Sequence, residues 1–281
     1  MPRQPDERSP TGSEMSDSNS PAVTYDVSDG IATITLNRPD GMNSLTLETK
    51  IALRDAVHTA SADSEARCVV LTGTGRAFCV GQDLKEHVAD LKSNAAGPLS
   101  STVVEHYNPT VTAIAMMPKP VIAALNGVAA GAGASLAFAA DFRILKDTAS
   151  FNLAFANIAL SCDTGASWTL QRLVGLGKAT ELLLLPRTIG SDEALALGLA
   201  TTVSPTDEFD ATVAALARNL ANGPTLAYAS IKRSLAYSAT HDLPASLEQE
   251  AQKMALTGAS TDHLAAVGAF LAKEKPRFEG R

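Results

Sequence analysis

Runs of lysine and arginine are missing from this chain, and its formal net charge is −7. Gripping a phosphate backbone needs the opposite balance, so nucleic acid is excluded as the main partner. Cysteine is scarce: Cys68, Cys79 and Cys162 form an odd count with no CxxC pair. That reads as reduced, mostly buried thiols in a reducing cytoplasm, not a disulfide framework. The histidines make no HExxH pair and keep no ligand spacing from a cysteine, so no zinc site or other metal centre is expected. Residues 1–22 lack the apolar centre of a secretory signal, and their acids argue against a mitochondrial address. Polar and rich in Pro and Ser, they are expected to be a disordered tail, with Met15 a possible later start. Residues 120–140 carry no charge, long enough for a bilayer span, but Asn126, Ser135, several glycines and many alanines interrupt them. No membrane span is expected there. A buried strand, a Gly-rich turn and a buried helix of small residues fit better.

What is present suits a soluble globular protein with a large core: 45% hydrophobic and 19% charged residues over 281 positions. Asp29-Gly30 signals a hairpin turn, and in 31-IATITLN-37 the residues Ala32, Ile34 and Leu36 share one face. Residues 44–62 read as a helix, with Leu53, Ala56, Val57 and Ala60 at helical spacing. Strands are expected at 68–73, 121–125, 142–146 and 150–154, and helices at 100–117, 131–140, 164–173 and 178–185. Ser191 is placed to cap a further helix, with Asp192 and Glu193 in its first turn. The stretch 74–84 reads as a loop. After Pro205 the pattern is helical throughout, which divides a core at 23–205 from a helical part at 206–281. The core repeats short strand, Gly-containing turn and helix at irregular intervals.

The nucleotide motifs fail on inspection. In 131-GAGASL-136 Leu136 stands where the last glycine of GxGxxG belongs, and in 175-GLGKAT-180 Ala179 stands where a P-loop needs Ser or Thr. Ser167 lacks the second glycine of a nucleophile elbow. Two loops remain, 80-VGQD-83 and 131-GAGA-134, each following a buried strand. They are either tight turns for small residues or two sets of N–H donors that converge on one oxygen as an oxyanion hole.

Acid is also scarce. Between Glu105 and Glu181 only Asp141, Asp147 and Asp163 occur. Asp163 opens 163-DTGASWTLQRLVG-175 at an expected helix mouth, where an N-cap and a catalytic carboxylate are both open readings. His106 and Tyr107 read either as a helix-end surface pair or as pocket lining. Trp168 reads as core. Asp83 and Lys85 read as loop-stabilising or ligand-proximal.

Four stretches, 36-LNRPDGMNSL-45, 77-AFCVGQDL-84, 119-KPVIAALNGVAAGAGASLAFAADFRI-144 and 186-PRTIGSDEALALGLA-200, resemble in order and spacing the crotonase (enoyl-CoA hydratase/isomerase) superfamily, over roughly residues 23–275. The resemblance implies an α/β spiral of ββα units, a helical C-terminal trimerisation region, and a homotrimer or dimer of trimers. It implies an acyl-CoA thioester substrate, with CoA part of that substrate and no separate cofactor. The backbone N–H groups of Gln82 and Ala132 would be the oxyanion donors, which leaves the side chains at both positions free to vary provided they fit. Arg38, Val80, Gly81, Asp83, Leu84 and Gly131 would lie along the substrate and CoA. Hydratases of the family use two glutamates, and by motif these fall at Ser135 and Phe155. Both carboxylates are absent. The wording 106-HYNP-109 and 155-FANIALSCDTGAS-167 resembles the branch containing epoxyphenylacetyl-CoA isomerase and Δ3,Δ2-enoyl-CoA isomerases, where an Asp at the position of Asp163 shuttles a proton. That branch carries Val-Pro before the Asp, and Ser161-Cys162 stand here. Single-carboxylate isomerisation is therefore expected, against two alternatives: a hydratase with a non-standard acid, and a non-catalytic acyl-CoA binding protein.

Overall fold

The structure, a computed structural model, describes residues 20–93 and 99–281. Most of the expected 1–22 tail thus lies outside the described residues, while the Pro21 and Ala22 carbonyls accept hydrogen bonds from Asn37. The chain opens with strands β1 (Val23–Ser28) and β2 (Ile31–Leu36), an antiparallel hairpin turned at Asp29-Gly30. Helix α1 (Leu47–Ala62) follows, capped by the Thr46 hydroxyl, which accepts from the Thr49 N–H. Then come β3 (Cys68–Gly73), β4 (Ala77–Cys79), α2 (Leu84–Ser93), α3 (Leu99–Thr102), a π-helical turn (Val103–Tyr107) and α4 (Asn108–Ala115). The next units are β5 (Val121–Leu125), β6 (Val128–Ala130) and α5 (Ala132–Ala139), then β7 (Phe142–Lys146), β8 (Ser150–Asn152) and α6 (Ala166–Leu184). Strand β9 (Thr188–Gly190), α7 (Ser191–Ala196) and β10 (Thr202–Ser204) close the core, and α8 (Phe209–Ala221), α9 (Thr225–Ser238), α10 (Leu243–Gly258) and α11 (Thr261–Ala272) complete the chain.

Two sheets share these strands. One runs β1-β2-β3-β5-β7-β10, parallel beyond the first hairpin, and the other runs β4-β6-β8-β9. Each of the pairs β3-β4, β5-β6 and β7-β8 gives one strand to each sheet and is followed by a helix, which is the expected ββα spiral. The central strands β3 and β5 carry continuous apolar runs because both of their faces are covered. In β3, Val69 and Leu71 face the main core while Cys68 and Val70 meet Phe209 and Leu220 of α8.

The uncharged run 120–140 is the centre of this packing. Every residue of α5 is buried, and a Cβ on Gly133 would stand 2.1 Å from the Cys79 carbonyl oxygen. Small residues there let the helix lie directly on β4. Among the described residues no helix is long and apolar enough to cross a membrane.

Several expectations need correction. The 74–84 loop contains β4, and β6 follows within four residues of β5; three-residue strands carry too few side chains to show a period. Ser191 does not cap α7. The cap is Gly190, and the Ser191 hydroxyl donates to the Asp147 carbonyl at 2.6 Å. Trp168 is not core: it is 43% exposed, with the Arg172 guanidinium 3.9 Å above its ring. The helices expected on either side of Gly175 meet there, where φ of 77° kinks α6.

Candidate active site

The two glycine loops converge. Leu45 forms an isolated parallel bridge with Gln82: its N–H donates to the Gly81 carbonyl at 2.8 Å, and its carbonyl accepts from the Asp83 N–H at 3.2 Å. Those groups occupy one edge of the strand, so the Gln82 N–H between them points to the other edge. Ala132 is the first residue of α5, where N–H groups have no intrahelical acceptor. Among the described residues neither N–H has an acceptor in the protein. The loops touch at Gly81, which holds φ of 83°; a Cβ there would stand 2.9 Å from the Ala130 oxygen and 3.2 Å from the Ala132 nitrogen. Both arms line a cavity of about 170 Å³ together with Phe155, Ile158, Leu160 and Asp163.

A second cavity of about 530 Å³ shares Gln82, Leu84, Tyr107, Ile158, Leu160 and Asp163 with the first, and extends over Val103, Val104 and Asn108. Among the described residues Asp163 is the one carboxylate lining either cavity, and no lysine or arginine lines them. It is not the helix cap. Gly165 takes that position in α6, and the Asp163 side chain instead accepts from the Thr164 hydroxyl at 2.8 Å. Burial pushes its carboxyl above the ordinary carboxylate range, against the opposing pull of Thr164. The two positions where the hydratase glutamates fall by motif carry no acid. The buried Ser135 hydroxyl donates back to the Gly131 carbonyl at 3.1 Å, and Phe155 supplies apolar wall.

Tyr107 and His106 are both buried, which rules out the surface-pair reading. The cause is Pro109. Proline has no N–H to give the Glu105 carbonyl, and its ring crowds that carbonyl. The helix widens into a π turn, closed by the Asn108 N–H to the Val103 carbonyl, and the freed Glu105 oxygen takes Arg54 at 3.4 Å. The widened turn brings Tyr107 to the cavity wall, where its hydroxyl donates to Gln82 Oε1 at 2.5 Å. The buried Lys50 reaches the same oxygen from α1 at 3.3 Å. The Gln82 side chain is therefore held from two sides.

Val80, Gly81, Gln82, Leu84, Gly131, Ala132 and Asp163 all reach the shared site. Arg38 and Asp83 do not line it. Asp83 accepts from the Ser44 hydroxyl at 2.8 Å and from Arg38 at 3.3 Å, and also takes the N–H groups of Lys85 and Glu86 at the start of α2. Burial works against its charge, but these bonds win and hold its carboxyl below the ordinary range. The pair braces the Val80–Leu84 loop from behind. Lys50 was missed, although the sequence carries a signal: it stands three residues before Leu53, on the same buried stripe of α1 as Val57 and Ala60. Among the described residues no cluster of three or more His, Cys, Asp or Glu is placed to hold a metal.

The family model described as enoyl-CoA hydratase/isomerase matches residues 26–281. A Rhodobacter capsulatus protein named "Probable enoyl-CoA hydratase" is 42% identical over 92% of this chain and 98% of its own length. The 1,2-epoxyphenylacetyl-CoA isomerase of Escherichia coli is 39% identical over 91% of this chain and 97% of its own. Among solved structures, a Mycobacterium abscessus protein described as a "putative Enoyl-CoA hydratase/isomerase" is 42% identical, with a TM-score of 0.89 over 92% of this chain and all of its own.

Proposed function

This chain belongs to the enoyl-CoA hydratase/isomerase family, the crotonase superfamily, and from that premise we propose that it isomerises an unsaturated or ring-strained acyl-CoA by a single-carboxylate proton shuttle. The observation that carries the reading is the carboxylate: among the described residues Asp163 is the one acid lining the cavity that Gln82 and Ala132 also line. For a 3-enoyl thioester, ionised Asp163 takes a proton from the α-carbon. The C–H electron pair moves toward the thioester oxygen, and the two N–H groups hold the negative charge that develops there. One such donor contributes roughly 3–4 kcal/mol. The dienolate charge also resides on the γ-carbon, so the Asp163 carboxylic acid returns its proton there and the double bond moves to the 2-position. No electron is gained or lost. Water addition needs a second group to position water, and Ser135 and Phe155 do not supply one. A carboxyl lifted above its ordinary range is also the better proton donor at neutral pH. In this reading CoA arrives with the substrate, no separate cofactor takes part, and the enzyme works in the cytoplasm as a homotrimer or dimer of trimers.

The name of the Rhodobacter relative favours the hydratase reading, and one assay separates the two. Product formation is followed from 3-enoyl-CoA and from 2-enoyl-CoA thioesters. Asp163→Asn is expected to cut isomerisation at least about a hundredfold and to leave CoA-ester affinity within about tenfold. Fast hydration of the 2-enoyl ester, untouched by Asp163→Asn, would restore the hydratase reading. Binding with no turnover of any ester would leave a non-catalytic acyl-CoA binding protein.

A further inference from the structure

A peptide N–H works as an oxyanion donor only while its plane is held. The Gln82 peptide is held on one edge by Leu45. On the other side its own side chain is gripped, because Oε1 accepts from both Tyr107 and Lys50. The three side chains form a short line: Lys50 from α1, Gln82 from the donor loop, and Tyr107 from the π turn, with the Lys50 ammonium 5.9 Å from the centre of the Tyr107 ring. Tyr107 is 3% exposed and Lys50 4%, so both grips on Oε1 are packed within the protein. The cavity face of Tyr107 also feels the Asp163 charge, which after burial itself is the next cause that raises its phenol.

We propose that Tyr107 is a positioning residue for the Gln82 oxyanion donor: by fixing the Gln82 side chain against Lys50, it aims a backbone N–H at the thioester oxygen. The role rests on the isomerase reading's enolate but not on its proton shuttle. It explains why a loop whose chemistry is done by the backbone nevertheless carries a glutamine with both sides of its amide oxygen engaged. It also gives the proline-induced π turn a task, since an unbroken α-helical turn would not place Tyr107 in the same direction.

The test uses acetoacetyl-CoA, whose acidic α-carbon gives an absorbing enolate, so that stabilisation of the negative oxygen is read without turnover. The full-length protein is expected to raise the enolate fraction of the bound ester. Tyr107→Phe removes only the hydroxyl and should lower the enolate-to-keto ratio about tenfold, less than the roughly 10²–10³ for outright loss of a donor. Affinity for the keto form should change less than about twofold. Gln82→Met, which keeps length and loses the acceptor, should give the same loss, and the double variant should lose no more than either single one, the mark of two residues acting as a unit. A merely structural role for Tyr107 would move the melting temperature and the keto affinity together and leave the ratio alone. An unchanged ratio in folded Tyr107→Phe, or fully additive losses, overturns the proposal. If the wild type raises the enolate fraction but does not isomerise 3-enoyl-CoA, the positioning role stands and the isomerase reading fails. If it raises none, the oxyanion hole and the positioning role fail together.

Discussion

Replacing Gly81 by alanine attacks the point where the two donor arms touch. The residue holds φ of 83°, a conformation that costs a residue with a Cβ about 1–2 kcal/mol. The added carbon would also stand 2.9 Å from the Ala130 oxygen and 3.2 Å from the Ala132 nitrogen, both backbone atoms anchored by β6 and α5. Neither can swing aside as a flexible side chain would, so the Gln82 loop must retreat by some tenths of an ångström. A displacement of about 1 Å at a reacting group costs around 10²-fold in rate. We therefore expect Gly81→Ala to lose about 2–4 kcal/mol of stability, combining backbone strain with overpacking, and about 10- to 100-fold in kcat, with a smaller change in KM. Gly177→Ala is the control, since a Cβ there meets nothing within 4 Å and alanine favours a helix interior. Steady-state kinetics on 3-enoyl-CoA and thermal unfolding of both variants make the comparison. A folded Gly81→Ala protein with kcat within about threefold of wild type would refute the argument that the two arms are held in register by their contact at Gly81.

Three other outcomes follow from charge and exposure. Because burial raises the folded-state pKa of Asp163 above its unfolded value, its contribution favours folding at pH below the unfolded value and is lost as pH rises through the folded one. Asp163→Asn should then melt higher than wild type near pH 7, with the gap narrowing as pH falls toward the ordinary carboxylate range; an unchanged gap across that window would show that its pKa is not shifted by folding. Isomerisation should rise with pH through the same folded pKa as the base ionises. The C-terminal helices expose Leu235, Met254, Leu264, Phe270 and Leu271, apolar side chains that the proposed trimer or dimer of trimers would cover; light scattering should then give three or six times 29.2 kDa, and Leu264→Asp with Phe270→Asp should lower that mass, while a stable wild-type monomer would defeat the expectation.

The family and the strand–turn–helix core were legible in the chain because they are local. Alternation in β2, continuous apolar runs in β3 and β5, and the small residues of α5 each reflect burial imposed on adjacent positions. The lone Asp163 was legible too, as an acid in a stretch that otherwise avoids one. What no local pattern held was direction. Whether Asp163 caps a helix or faces a cavity depends on where Gly165 starts α6. Whether Gln82 is a free side chain or a clamped one depends on Lys50 and Tyr107, 32 and 25 residues away in the chain. Tyr107 stayed open between a surface pair and pocket lining because a helical turn drawn from residue spacing is an α turn, and only the packed helix shows that Pro109 opens it. Trp168 went the other way, since its size suggested core and the kinked α6 leaves it outside with Arg172. Spacing along the chain records which residues are buried; the partners they meet are set by loops that close across two sheets, and those distances exist only once the spiral is wound.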